Sequence, residues 1–268
     1  MRQFLASGSP FAAVRPELEP LVDGVAFEPR RADAVDAQAV LDRDGAVILN
    51  GYPPAPRSLV LAAAEVLGTR LRHVQPARTK DTEHSDGLPV HNENRIQVIE
   101  VGGQVTDLYG PDADYILLLC ARPSETGGAS VVADGYRLFD RIRDTDPELW
   151  SFLTGADVDR LGLARDQPDI PTTSSACRHL EYTRTGRRIV LASWYTQALR
   201  RDPLRDQHER MLQRYADVWT TLTAAAPRFF LGVGDILFVD NYRCFHGVDV
   251  WGTRRVIHSL TVRSADAK

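Results

Sequence analysis

The sequence predicts an α+β fold with a mainly β core, two sheets packed together and helices set around them. Three observations point there. Many short β-branched or aliphatic runs are separated by Gly, Pro and Asp, the pattern of strands joined by turns. Helical periodicity is gathered at the front of the chain and in one insertion between the strand runs. The chain has 268 residues, 43% of them apolar, enough to bury a substantial core. It carries no internal repeat or low-complexity linker, so residues 1–268 read as a single domain.

Residues 1–45 hold four prolines and one short helical pattern, Asp36–Leu41. AVILN at 46–50 reads as a buried strand that the GYPP turn ends. SLVLAAAEVLG at 58–68 reads as a helix with Gly68 at its end. Residues 1–70 thus form an N-terminal decoration of helices and a strand. Gln75 to Asn94 is polar and without period, which predicts a loop of functional length, a candidate lid. RIQVIEV, YILLLC and SVVA follow as strands. Gly135–Arg143 and Pro147–Leu153 are helical, and 154–179 is irregular. EYTRT and RIVLAS form two strands about a turn at Thr185–Gly186. In the next helix Met211, Leu212, Tyr215, Val218, Trp219 and Leu222 make one apolar stripe. GDILFVDN and RRVIHSLTVR close the chain as strands.

Composition excludes several functions. A net charge of −4 offers no field for a polyanion, so nucleic acid is not an expected partner. Of the 32 basic residues, Lys80 and Lys268 are the two lysines, leaving 30 arginines. Schiff-base chemistry and a phosphate-cradling P-loop therefore have almost nowhere to sit. Cys120, Cys177 and Cys244 stand far apart and read as free thiols in a reducing compartment. No run approaches the roughly 18 apolar residues of a membrane helix, and the first residues make too weak a signal peptide. The expectation is a cytoplasmic protein without membrane contact.

Seven histidines make a metal site the natural chemistry to test. On a strand, residues i and i+2 share a face, so H-x-[DE] can aim an imidazole and a carboxylate at one cation. Three such triplets occur: His84-Ser-Asp86, His91-Asn-Glu93 and His179-Leu-Glu181. The first lies in a polar turn-rich segment and the last follows a Pro/Thr/Ser-rich stretch. Only His91 stands at the threshold of a convincing strand. A distant histidine would complete a two-His-one-carboxylate triad, which leaves positions open for a co-substrate and O₂. His246 is delivered by the strong strand GDILFVDN, just before a glycine. The next strand opens with Arg254-Arg255. Arg255, Ile257, Ser259, Thr261 and Arg263 share its more polar face, which favours Arg255 as a fork for a carboxylate.

LPVHNEN (88–94), GGASVVAD (127–134), GDILFVDNYRCFHG (234–247) and RRVIH (254–258) resemble the TauD/TfdA and clavaminate-synthase-like Fe(II)/2-oxoglutarate dioxygenases. The resemblance spans roughly 88–263 and leaves the first 45 residues uncovered. It implies a double-stranded β-helix (jelly-roll, cupin-like) with iron on His91, Glu93 and His246. It assigns Arg255, and Ser130 beside it, to the distal carboxylate of 2-oxoglutarate. It further implies oxidation of a C–H bond by O₂ with release of succinate and CO₂. The HNE form is similar to members acting on free or carrier-bound amino acids in natural-product pathways. The substrate is thus expected to be a small polar molecule, free or presented on a carrier protein. Halogenating relatives lack the carboxylate, so Glu93 argues for hydroxylation, desaturation or cyclisation. Ala129 and Val248 depart from the family pattern, and Val248 stands where an arginine is common.

Two other readings stay open from the residues: a zinc hydrolase or lyase on the same triad, and a cupin-like binding protein. Trp194, Trp219, Trp251 and Cys120 read as core. Cys244 shares the His246 face if the strand continues that far. Asp240-Asn241 resembles the family's dipeptide before the histidine and reads as support for the strand end. His258 faces away from the site, and Gln97 and Tyr195 are candidate substrate contacts.

Overall fold

The computed structural model describes residues 15–82, 88–93, 96–101, 104–109, 113–159, 176–192, 196–199, 202–249 and 254–268. The first strands are β1 (Arg30–Ala32), β2 (Ala46–Leu49), β3 (Leu71–Val74), β4 (Arg78–Thr82) and β5 (Leu88–His91). Then come β6 (Ile96–Val101), β7 (Gln104–Tyr109), β8 (Tyr115–Arg122), β9 (Ser130–Asp134), β10 (Val158–Asp159) and β11 (Ala176–Cys177). The last are β12 (Leu180–Tyr182), β13 (Arg188–Val190), β14 (Gln197–Ala198), β15 (Ile236–Asp240), β16 (Cys244–Val248) and β17 (Arg255–Ser264).

The main sheet runs β1-β2-β15-β8-β17-β3, with β4 also paired to β17. Only β1 and β2 run parallel among its described pairs. A second, antiparallel sheet has the order β5-β16-β9. Between the two lie Ile48, Ile116, Leu237 and Ile257 from the first and Val132 and Cys244 from the second. Helices Ala34–Asp44 and Pro56–Leu67 cover the outer face of the main sheet, packing Leu41, Leu59 and Ala63 on Val47, Leu117 and Phe238. Helices Gly135–Thr145 and Arg205–Ala225 cover the outer face of the second sheet, packing Phe139, Tyr215 and Leu222 on Val131, Ala133 and Phe245. The result is the predicted α+β architecture with a double-sheet β core. Because β2 is covered on both faces, its four residues are all buried, which explains its unbroken apolar run.

The caps show why the helices begin where they do. Asp134 accepts hydrogen bonds from the N–H groups of Tyr136 (3.0 Å) and Arg137 (3.2 Å), starting Gly135–Thr145. Asp146 accepts from Leu149 N–H at 3.1 Å and starts Pro147–Gly155. The stripe Met211 to Leu222 is buried along Arg205–Ala225 as its periodicity predicts. No helix among the described residues is long and apolar enough to cross a membrane.

Two expectations are corrected. Residues 75–94 are not one long loop, because β4 and β5 form within them. β4 reads as polar because it is an edge strand on the cavity side of β17, so hydrophobic alternation never develops. His246 is also not at the end of the strand that begins at Gly234. Asp240 accepts hydrogen bonds from Tyr242 N–H (3.0 Å) and Arg243 N–H (3.1 Å), turning the chain out of the main sheet. β16 then starts afresh in the second sheet.

Candidate metal centre

His91 ends β5, and the β5–β16 register sets it directly opposite His246. Cross-strand partners point to one side of a sheet, so the two imidazoles meet with ring centroids 4.5 Å apart. Glu93 follows two residues after His91. Its Oε2 lies 3.8 Å from His91 Nε2 and 3.9 Å from His246 Nε2. One ligand atom from each of the three falls within 4.8 Å of the others. Both histidines are 4% exposed.

Two asparagines fix this corner. Asn241 Oδ1 accepts from Glu93 N–H at 2.8 Å, and its Nδ2 donates to the carbonyls of Glu93 (3.1 Å) and Ala113 (2.9 Å). Asn92 Nδ2 donates to the Asn241 carbonyl and its Oδ1 accepts from Ala192 N–H, both at 2.8 Å. The expected support by Asp240-Asn241 thus divides: Asp240 turns the chain and Asn241 holds Glu93. Asn92, the middle residue of the HNE triplet, went unassigned in the sequence because a triplet motif does not reveal which partner its centre faces.

Burial strips the His246 imidazole of water and, with His91 beside it, lowers its pKa from 6.5 to about 3. Burial pushes the Glu93 carboxyl up, but His91, Lys80 and His246 outweigh it and hold it at about 2. The pair is therefore a neutral imidazole and an ionised carboxylate, the protonation states a dication requires. His246 Nδ1 is buried with no hydrogen-bond partner among the described residues. Two imidazoles and one carboxylate fit a divalent transition metal.

Arg255 opens β17 on the face shared with Ile257 and Ser259, and is 5% exposed. Its Nη2 donates to Ser130 Oγ at 3.3 Å. Gly128 lets them meet. It has φ +74°, and a Cβ there would stand 3.3 Å from Arg255 Cδ and 3.1 Å from Ser124 Cβ. Arg254 instead points outward, with φ +64° and an ion pair to Glu125 at 3.5 Å. Below the triad a small cavity is lined by Pro76, Arg78, Glu93, Ser259 and Thr261.

The other candidates separate. His179 is buried, its Nε2 3.1 Å from Thr196 Oγ1 and its ring against Phe152 and Tyr215, while Glu181 pairs with Lys268. His84, Asp86, Trp194, Tyr195 and Trp251 lie outside the described residues, and so does the side chain of Gln97 on β6. Trp219 packs on Phe245 in the core. Cys120 and Cys244 join the inter-sheet core. His258 Nδ1 meets Thr79 Oγ1 at 2.9 Å on the far side of β17.

A two-histidine, one-carboxylate set with both histidines buried, on a double-sheet β core, fits a non-haem metal oxygenase. The chain belongs to the taurine catabolism dioxygenase TauD, TfdA family, whose model matches residues 11–261. It is an Fe(II)- and 2-oxoglutarate-dependent dioxygenase with O₂ as second co-substrate. The match extends well before residue 88, into the segment the motifs left uncovered.

No curated protein matches the chain. Among solved structures, a taurine dioxygenase from Burkholderia xenovorans is similar over 97% of this chain and 85% of its own, at 14% identity and TM-score 0.59. PvcB from Pseudomonas aeruginosa is similar over 87% and 82%, at 12% identity and TM-score 0.55. An asparagine oxygenase solved with Fe(II), 2S,3S-3-hydroxyasparagine and succinate is similar over 87% and 79%, at 20% identity and TM-score 0.53. These likenesses bear on the double-stranded β-helix fold.

Proposed function

We propose that the chain oxidises an unactivated C–H bond of a small amino-acid substrate, free or tethered to a carrier protein. Hydroxylation is the first choice, with desaturation or cyclisation as the other outcomes. Residues 1–268 act as one oxygenase domain, in the cytoplasm. His91, Glu93 and His246 hold Fe(II), and the observation that carries this is the approach of both Nε2 atoms to Glu93 Oε2 at 3.8 and 3.9 Å. Bound there, iron with 2-oxoglutarate and O₂ supplies the oxidising power, releasing succinate and CO₂.

The chain's own residues supply position and a dry site. Arg255 grips the distal carboxylate of 2-oxoglutarate as a charge-assisted fork, and Ser130 adds a hydroxyl at the same point. Ile257 and Cys120 beside Arg255 are buried and keep water from that end. Asn241 and Asn92 hold Glu93 in place.

The amino-acid assignment has support from relatives of this fold. The asparagine oxygenase was solved with a hydroxylated asparagine, and OrfP, a non-haem iron oxygenase, with (3S)-hydroxy-L-Arg. The test is succinate release with Fe(II), 2-oxoglutarate and O₂ across the L-amino acids. Release stimulated by an amino acid, absent in His91→Ala, and matched by a product carrying one added oxygen is the expected result. Release that no amino acid stimulates would overturn the substrate assignment.

A further inference from the structure

β4 brings a second charged surface to the metal centre. Its register with β17 pairs Arg78 with Ser259 and Lys80 with Ile257. Ile257 and Ser259 are buried on the inward face, so Arg78 and Lys80 point to that same side. Their neighbours Thr79 and Asp81 face the other way, Thr79 to His258 and Asp81 to Arg122. Arg78 lines the small cavity under Glu93. Lys80 is half-buried, and its charge acts on both Glu93 and His246.

Neither cation makes a hydrogen bond or ion pair with any described residue, unlike Arg187, Arg188 and Arg243, which all have carboxylate partners. Glu93 is the one carboxylate among the described residues lining the cavity, and it is committed to the metal in the reading above. Two positive charges thus lie along the inward side of β4: half-buried Lys80 opposite Ile257, the next inward residue after Arg255, and exposed Arg78 opposite polar Ser259 at the cavity. A wall of this kind is complementary to an anion on the molecule that enters beside the metal.

We infer that Lys80, with Arg78 beside it on β4, receives the carboxylate of the substrate and so selects molecules with a free acid group. This rests on the proposed oxygenase function and sharpens its substrate class. An amino acid tethered to a carrier through its carboxyl has no such group unless its side chain supplies one.

The test uses wild type, Lys80→Gln, Lys80→Arg and Arg78→Gln, loaded anaerobically with Fe(II) and 2-oxoglutarate. Each is titrated with the proteinogenic L-amino acids and with their primary carboxamides, following the shift of the visible charge-transfer band. At least one acid is expected to shift the band in wild type, while its amide does not. Lys80→Gln is expected to weaken that acid by about tenfold or more, the worth of a charge-assisted hydrogen bond. Arg78→Gln weakens it less, Lys80→Arg restores most of it, and 2-oxoglutarate affinity stays as in wild type. An amide that binds as well as its acid overturns the inference, as does an unchanged acid affinity in Lys80→Gln. So does a fall in 2-oxoglutarate affinity in Lys80→Gln, which would assign Lys80 to the co-substrate. A band that forms and that no amino acid shifts overturns this inference together with the amino-acid assignment and leaves the oxygenase reading standing, whereas a band absent from wild type overturns the oxygenase reading as well.

Discussion

The Asn241 carboxamide grips the backbone of Glu93 at both ends, accepting from its N–H at 2.8 Å and donating to its carbonyl at 3.1 Å. One side chain thereby does for Glu93 what a neighbouring strand would do, at the point where β5 has ended. Asn241→Asp keeps the shape and loses the donor. It is expected to lower Fe(II) affinity roughly tenfold to a hundredfold, the usual cost of losing a partner behind a metal ligand. Titration with Co(II) as a spectroscopic stand-in reads this directly, and wild-type affinity in the variant would contradict the role.

Burial of His246 has a consequence for acid stability. Unfolded, it takes up a proton near pH 6.5, whereas folded it stays neutral down to about 3. Between these values the unfolded chain binds the extra proton, so its contribution to stability is full above the window and is lost as pH falls through it. Metal-free wild type should therefore lose more urea resistance than His246→Gln between about pH 7 and about pH 4. Parallel curves would count against a buried neutral imidazole.

Arg243 ties both helical layers to the strand that carries His246. It makes a two-pronged pair with buried Asp134 at 3.2 and 2.6 Å, and donates to the Arg43 carbonyl at 2.9 Å near the end of Ala34–Asp44. Arg243→Met strands the Asp134 carboxylate and should cost about 3–5 kcal/mol. The double variant Arg243→Met/Asp134→Asn should cost less, because no charge is left buried. Urea denaturation of the four proteins decides it, and a double variant worse than the single would contradict the account.

Arg255→Met should raise the Kd for 2-oxoglutarate by about tenfold to a hundredfold, with Fe(II) affinity kept. Ser130→Ala removes a single neutral hydroxyl, so a change of about fivefold is expected. Calorimetric titration of 2-oxoglutarate separates the two. Equal effects would mean that the guanidinium contributes no more than the hydroxyl and would contradict its role as the principal contact.

The sequence carried most of the layout. Local periodicity suffices where one face is the more buried, so the stripe Met211 to Leu222 and the alternation from Arg255 to Ser259 both match their observed burial, whereas Leu260 is buried and Thr261 half-buried because helices cover the other face of β17 there. Where both faces of a strand are polar or the pairing is distant, periodicity carries nothing. β4 was hidden for that reason, since Arg78, Thr79, Lys80 and Asp81 present polar groups on both sides. The turn at Asn241–Arg243 was hidden differently: its cause is the Asp240 carboxylate bonding backbone two and three residues ahead, and the apolar pattern on either side gives no sign of the break. His91 and His246, 155 positions apart, could be matched only through motif order. The opposition that makes them partners is set by the β5–β16 register.

The central claim is that His91, Glu93 and His246 hold iron in a form that 2-oxoglutarate can chelate. Anaerobic titration of metal-free protein with Fe(II), then 2-oxoglutarate, tests it most directly. The account predicts a weak visible charge-transfer band in wild type, lost in His91→Ala and His246→Ala. Absence of the band in wild type, with 2-oxoglutarate binding equally well whether or not metal is present, would contradict it.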